Sequence, residues 1–302
     1  MRSIIALFAL TLSAFSFVTV AAHAEVSTTR TYNDVKTWMH DLAEHNPGVV
    51  TPFILGDSDS GDKVEGLKIG TGPIHNLLVA THHGNEYGST ELAIAFAEAV
   101  TKSPIANQTL YVIPVLNIDG FNNRDRYEHS TDGASNDPNR DYPGPCGTEG
   151  PFHLKSTQAL ANLIDRENII VSSTIHTYWP VVAYPWGIST QDLDTPYTPD
   201  YVKLAQTATQ VSHYAYGNST QTIYPADGAY EDYAYWKFGI WSLLFEVGNS
   251  HTPSEADLKD IVDGNVPGLI NMYASAPTTR APHHDFTGKC DLGARLMDMH
   301  IE

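Results

Sequence analysis

The chain has 302 residues and a formal charge of −18, with 35 acidic against 17 basic side chains. That balance excludes recognition of nucleic acid or of an anionic membrane through a broad basic surface, because the long-range field repels phosphate. The length suits one large α/β domain, and no repeat, low-complexity tract or linker marks an internal boundary.

The first two dozen residues have the form of an export signal: Arg2, an apolar run over residues 4–20, then the small-x-small tripeptide Ala22-His23-Ala24. Cleavage is placed after Ala24. The run is too short and wrongly flanked for a stable span, and no later stretch reaches the roughly 18 to 20 apolar residues that spanning requires. Residues 25–302 are therefore expected as one exported domain, periplasmic or extracellular, without stable membrane association. Helical spacing over 32–45 is followed by strand-like segments at 49–55 and 63–69. A buried strand is predicted at 75–81, entering a helix from about 89 to 100. Strand 109–118, helix 154–164 and strand 169–175 continue the alternation, and helices at 199–214 and 255–274 bracket an apolar strand at 240–247. Tyr and Trp crowd residues 224–241, as aromatic core or as the wall of a pocket. The pattern predicts a single α/β domain with a twisted, mixed central β-sheet flanked by helices. Cys146 and Cys290 are the two cysteines; export permits a disulfide between them, but sequence alone does not bring them together. Nor does it carry a signal of oligomeric state.

At the end of strand 75–81 the sequence reads T-H-H-G-N-E-Y-G, which puts His83 and Glu86 three positions apart at a strand-to-helix transition. One such turn can aim both side chains at a point, and catalytic zinc favours two histidines and a carboxylate, with one position left for water. His176 closes strand 169–175 and supplies a third ligand at a strand's carboxyl end, where open α/β sheets place their chemistry. His82 competes with His83, but adjacent residues leaving a strand point to opposite faces, and only His83 has the spacing to Glu86. Glu246 lies in the apolar run S-L-L-F-E-V, where a buried carboxylate is costly unless it faces a metal site or a partner.

Five ordered segments resemble the M14 zinc carboxypeptidases, relatives of pancreatic carboxypeptidase A: H-G-N-E at 83–86, N-I-D-G-F at 117–121, D-P-N-R-D-Y-P at 137–143, H-T-Y-W-P-V-V-A-Y-P-W-G at 176–187 and L-L-F-E-V-G at 243–248. The resemblance implies one zinc ion per chain held by His83, Glu86 and His176. It implies a peptide substrate whose free C-terminal carboxylate binds Asn139 and Arg140, a job that suits the planar fork of arginine. Glu246 would be the general base that takes a proton from water and later delivers it to the leaving amine. Tyr224, 22 residues before Glu246, is similar to the family's mobile tyrosine that folds over substrate. Arg126, with Arg124 as rival, would stabilise the tetrahedral oxyanion.

The chain departs from the digestive members at Asn85, where they carry an arginine, and it passes from the signal almost directly into the catalytic segment, leaving no room for their large inhibitory pro-segment. Glu231, 15 residues before Glu246, falls near the position that lines the family's side-chain pocket and would favour a basic C-terminal residue; Asp227 and Asp232 are alternatives. The same charge logic fits diaminopimelate in peptidoglycan stem peptides, or γ-linked amides. H-G-N-E also resembles zinc N-deacylases of the desuccinylase type, although the segment 137–187 and the Tyr224-to-Glu246 spacing favour the carboxypeptidase. A binding module without chemistry would be expected to lack a ligand or the base, and none is missing.

Overall fold

The computed structural model describes residues 25–130, 133–147 and 152–292. The expected export signal, residues 1–24, lies outside them. Helix α1 (Tyr32–His45) opens on a capping box, in which Thr31 and Asp34 satisfy each other's backbone N–H groups. Then follow β1 (Val50–Asp57), β2 (Lys63–Ile69), β3 (Ile74–Ala80), α2 (Tyr87–Lys102), β4 (Gln108–Ile113) and the short α3 (Ile118–Asn123). A small hairpin, β5 (Glu128–His129) and β6 (Ser135–Asn136), precedes α4 (Lys155–Arg166), β7 (Val171–His176) and β8 (Val181–Tyr184). The rest is α5 (Thr198–Ala208), β9 (Ala215–Asn218), α6 (Ser219–Thr222), α7 (Tyr230–Phe238), β10 (Trp241–Glu246) and α8 (Glu255–Ser275).

The main sheet has eight strands in the order β1-β2-β4-β3-β7-β10-β8-β9. Its centre, β4-β3-β7-β10, is parallel, and β2 and β8 join it antiparallel. Strands β4 and β7 are buried along their whole length, as parallel strands covered on both faces must be. Helix α2 packs on α8 and α8 on α5, while α4 lies against α7 and β1. This is the expected mixed sheet flanked by helices. The chain passes from β3 to β4 on one side of the sheet and then to β7 on the other, so a topological switch point opens between β3 and β7. Ligands bind at such crevices, outside the carboxyl ends of the strands.

Two expectations need correction. The strand at 109–118 stops at Ile113, because Pro114 cannot donate to the ladder, and Asn117 caps α3 by accepting from Gly120 N at 2.8 Å. The helix at 199–214 stops at Ala208, where the Thr209 hydroxyl bonds back to the Ala205 carbonyl, and the chain turns into edge strand β9. Within 224–241 the aromatic run forms α7, whose Tyr230, Tyr233 and Tyr235 are core, while the acidic residues of its first turn face a cavity. Cys146 and Cys290 form a disulfide across a sequence separation of 144, tying the loop after Tyr142 to the C-terminal segment. Among the described residues no helix is long and apolar enough to cross a membrane.

Candidate metal centre and active site

Three adjacent strands deliver the site. Strand β3 ends at Ala80, and three residues later His83 occupies the turn that starts α2, with Glu86 at that helix's N-cap. His176 is the last residue of β7, and Glu246, the last of β10, stands beside it in register. The turn fits because Gly84 packs directly on the backbone of Gly120: a Cβ there would lie 1.9 Å from the Gly120 carbonyl carbon.

His83, Glu86 and His176 converge. Their ligand atoms lie within 4.8 Å of one another and all three residues are buried. His83 Nδ1 is 2.8 Å from one Glu86 oxygen and His176 Nδ1 is 3.0 Å from the other. Burial raises the Glu86 pKa, but the two imidazoles outweigh it and pull the carboxyl far below its ordinary range. Burial likewise lowers His83, but Glu86 and Asp137 outweigh it and hold the ring above its ordinary value. The set fits zinc on three counts: two imidazole nitrogens and a carboxylate, a common focus, and a second His83 nitrogen fixed by a carboxylate, with Nε2 3.0 Å from Asp137 Oδ1.

Asp137, which no motif spacing marks as a ligand or base, joins the site through its hydrogen bonds. Besides His83 it accepts from Arg126 Nη2 at 2.8 Å and Nε at 3.0 Å, and its own carboxyl is held well below the usual range. The available signal was its place two residues before Asn139 in D-P-N-R. Anchored there, Arg126 points Nη1 into the metal space, 3.3 Å from His83 Nδ1 and 4.0 Å from Glu86. Arg124 is elsewhere: its guanidinium stacks on Tyr87 and Phe121 and donates to the Arg30 carbonyl at 2.9 Å. Asn117 ties both neighbourhoods together by donating to the His82 and Arg126 carbonyls, each at 3.2 Å.

The remaining candidates line one cavity with His83, Arg126 and His176. Asn139 is buried and its side-chain oxygen accepts from Tyr230 N at 2.9 Å, so its NH2 is the group able to donate into the cavity. Arg140 Nη2 donates to the Tyr224 hydroxyl at 2.9 Å and the guanidinium lies over the Tyr224 ring, so this tyrosine already covers the cavity from its mouth. Glu231 is 2% exposed and accepts from the Thr174 hydroxyl. Asp232 also faces the cavity, but both its oxygens accept from Gly187 N, and burial lifts its pKa well above the carboxylate range. Asp227 does not line the cavity. Glu246 does; its Oε2 is buried with no hydrogen-bond partner among the described residues, and burial together with the Glu86 carboxylate pushes its pKa well up. A divalent cation held by the trio would oppose that rise.

A buried two-histidine, one-carboxylate centre with an adjacent glutamate, at the switch point of a mixed sheet, defines a zinc-dependent hydrolase. The zinc carboxypeptidase model of peptidase family M14 matches residues 35–268, and the chain belongs to that family, whose members hydrolyse peptide bonds and use one zinc ion. It is 27% identical over 252 residues to carboxypeptidase B of Astacus astacus, covering 69% of this chain and 82% of the relative. With human carboxypeptidase B the identity is 25% over 260 residues, covering 72% of this chain. That match spans 62% of the human protein, less than two thirds of its length. Among solved structures, bovine thrombin-activatable fibrinolysis inhibitor in complex with tick carboxypeptidase inhibitor superposes with a TM-score of 0.74 at 19% identity, covering 82% of this chain and 96% of the other. At that identity the likeness is one of fold.

Proposed function

We propose that the chain is an exported zinc exopeptidase that removes single C-terminal residues, with a preference for basic ones. The carrying observation is that Arg126, Asn139, Arg140, Tyr224, Glu231 and Glu246 line one cavity with His83 and His176. His83, Glu86 and His176 would hold the metal. Zinc held there would supply a Lewis acid for the scissile carbonyl and would acidify water.

The chain's own residues do the rest. Arg140 and the Asn139 NH2 hold the free terminal carboxylate, which restricts cleavage to the last peptide bond. Tyr224 closes over the bound residue and excludes water. Arg126, braced by Asp137, donates to the carbonyl oxygen as negative charge develops there. Glu246 removes a proton from the attacking water and returns it to the departing amine. Glu231, rather than Asp232 with its oxygens already engaged by Gly187, offers a carboxylate to the ammonium or guanidinium of the terminal side chain.

Glu231→Gln tests the preference: kcat/KM for C-terminal Lys substrates should fall at least about tenfold more than for C-terminal Leu substrates, given the strength of charge-assisted hydrogen bonds. Equal losses on both would remove the pocket role. A second reading, cleavage of peptidoglycan stem peptides, is favoured by the same acidic cavity, since diaminopimelate carries an ammonium at its side-chain end; a substrate ending in that residue discriminates.

A further inference from the structure

His82 belongs to the first metal motif, yet the proposed chemistry gives it no task. It is more deeply buried than His83, 0% against 4% exposed. Its ring lies nearly flat against that of His176, with centroids 5.5 Å apart and planes 25° from parallel, whereas His83 meets the same ring at 60°. His82 Nε2 and the Tyr142 hydroxyl share a hydrogen bond of 3.0 Å. Tyr230 closes on the His82 ring at 5.8 Å and meets Tyr142 edge to face at 5.4 Å. An apolar ring here would leave the buried Tyr142 hydroxyl without this hydrogen bond. As it is, His82 Nδ1 is buried with no partner among the described residues, a cost that the Tyr142 bond offsets only in part.

The need for His82 is visible in His176. A histidine that ligates a metal normally has its second nitrogen held, which fixes the ring plane. Asp137 does this for His83. His176 Nε2, by contrast, is buried without a partner among the described residues, so the ring's hydrogen bonding is confined to its ligand-side Nδ1, 3.0 Å from Glu86. Two rings flank it, His83 tilted at 4.9 Å and His82 near-parallel at 5.5 Å, and of these only His82 is outside the ligand set.

We infer that His82 is a positioning residue for His176, with Tyr142 fixing the plane of His82 and His82 fixing the plane of the third metal ligand. The inference rests on His176 being that ligand. Its consequence is a coupling: Tyr142 follows Asn139 and Arg140 closely in sequence, and its N–H donates to the Gly228 carbonyl at 3.1 Å in the loop that carries Tyr224. The segment proposed to grip the substrate carboxylate thus reaches the metal centre through one hydrogen bond and one stack.

The test measures zinc dissociation constants by chelator competition on full-length protein, together with the absorption spectrum of the cobalt-substituted form, which reports ligand geometry. Relative to wild type, H82L should weaken zinc binding by about 10- to 100-fold and alter the cobalt spectrum, the range typical for losing a group that orients a ligand. H82F keeps a flat face but loses the Tyr142 bond and should fall between the two. Y142F deletes a single hydroxyl, so it carries the test if H82L does not fold; a weaker zinc affinity with a shifted spectrum supports the role. Wild-type affinity and an unchanged spectrum in Y142F and in folded H82L overturn it while leaving the metal assignment intact. A wild-type chain that binds no zinc overturns both.

Discussion

Asp137 shares one carboxylate between His83 and Arg126, so the ring proposed to hold the metal and the cation proposed to meet the developing oxyanion are set by the same side chain. Asp137→Asn should weaken zinc binding by about 10- to 100-fold in a chelator competition and lower kcat beyond what restored zinc occupancy recovers, because Arg126 loses its brace. Glu246→Ala separates the roles in the opposite sense: hydrolysis should fall by at least about 100-fold, as for loss of a general base, with zinc still bound in full by metal analysis. Retained turnover would remove the base assignment. At this scale the sequence was legible wherever a motif fixed spacing. His83 with Glu86, and Asn139 with Arg140, are near neighbours in the chain, and His176 and Glu246 end strands. Asp137 went unassigned because its work depends on His83, 54 residues away, a distance that no local pattern encodes. The sequence prefers Arg126 with Arg124 as rival; the fold adds a physical separation of the two, with Arg124 stacked on Tyr87 and Arg126 reaching His83.

Strands and helices with a clean period were readable: α1 was expected over 32–45, and β2 over 63–69, as observed. The four-residue strands β8 and β9 are too short to establish a period, and α7 is buried on most of its surface, so it has no polar face to betray it. Helix α7 is nonetheless the element that supplies Glu231, and the loop before it brings Tyr224 over Arg140. That loop is pinned at Gly228, where φ is +77° and a Cβ would lie 2.5 Å from the Arg140 carbonyl oxygen. Gly228→Ala should therefore displace the Tyr224 loop and raise KM for C-terminal substrates severalfold, at a stability cost of about 1 kcal/mol or more, with zinc content unchanged. An unaltered KM would show that the loop closes independently of this anchor.

For the molecule as a whole, the hairpin segment that leads to Asp137 is locked by a buried acid. Glu128 is 0% exposed and accepts from Asp59 N at 3.2 Å and the Ser156 hydroxyl at 2.6 Å; burial raises its pKa from 4.5 to about 7. A folded-state pKa above the unfolded one gives stability that is complete below about pH 4.5 and is lost as pH rises through about 7, at most roughly 3 kcal/mol. Glu128→Gln should flatten that part of the denaturation-versus-pH curve; a slope equal to wild type would contradict the assignment. The Cys146–Cys290 bridge closes a long loop and ties the C-terminal segment to the chain just beyond Tyr142. Replacing both cysteines with alanine should cost roughly 2 to 5 kcal/mol, read from chemical denaturation. Composition permitted this bridge but could not establish it, because nothing in a linear spacing of 144 residues says that the two ends meet.

Metal-dependent removal of single C-terminal residues governed by an acidic side-chain pocket can be read from one experiment: the full chain is incubated with peptides ending in Lys, Arg, Leu, Phe or diaminopimelate, with and without a chelator, and the products are identified. Chelator-sensitive release of one residue at a time is expected, fastest from the Lys and Arg peptides, with recovery on adding zinc. Stoichiometric zinc with no release from any of these peptides, or release that survives the chelator, would rule this function out.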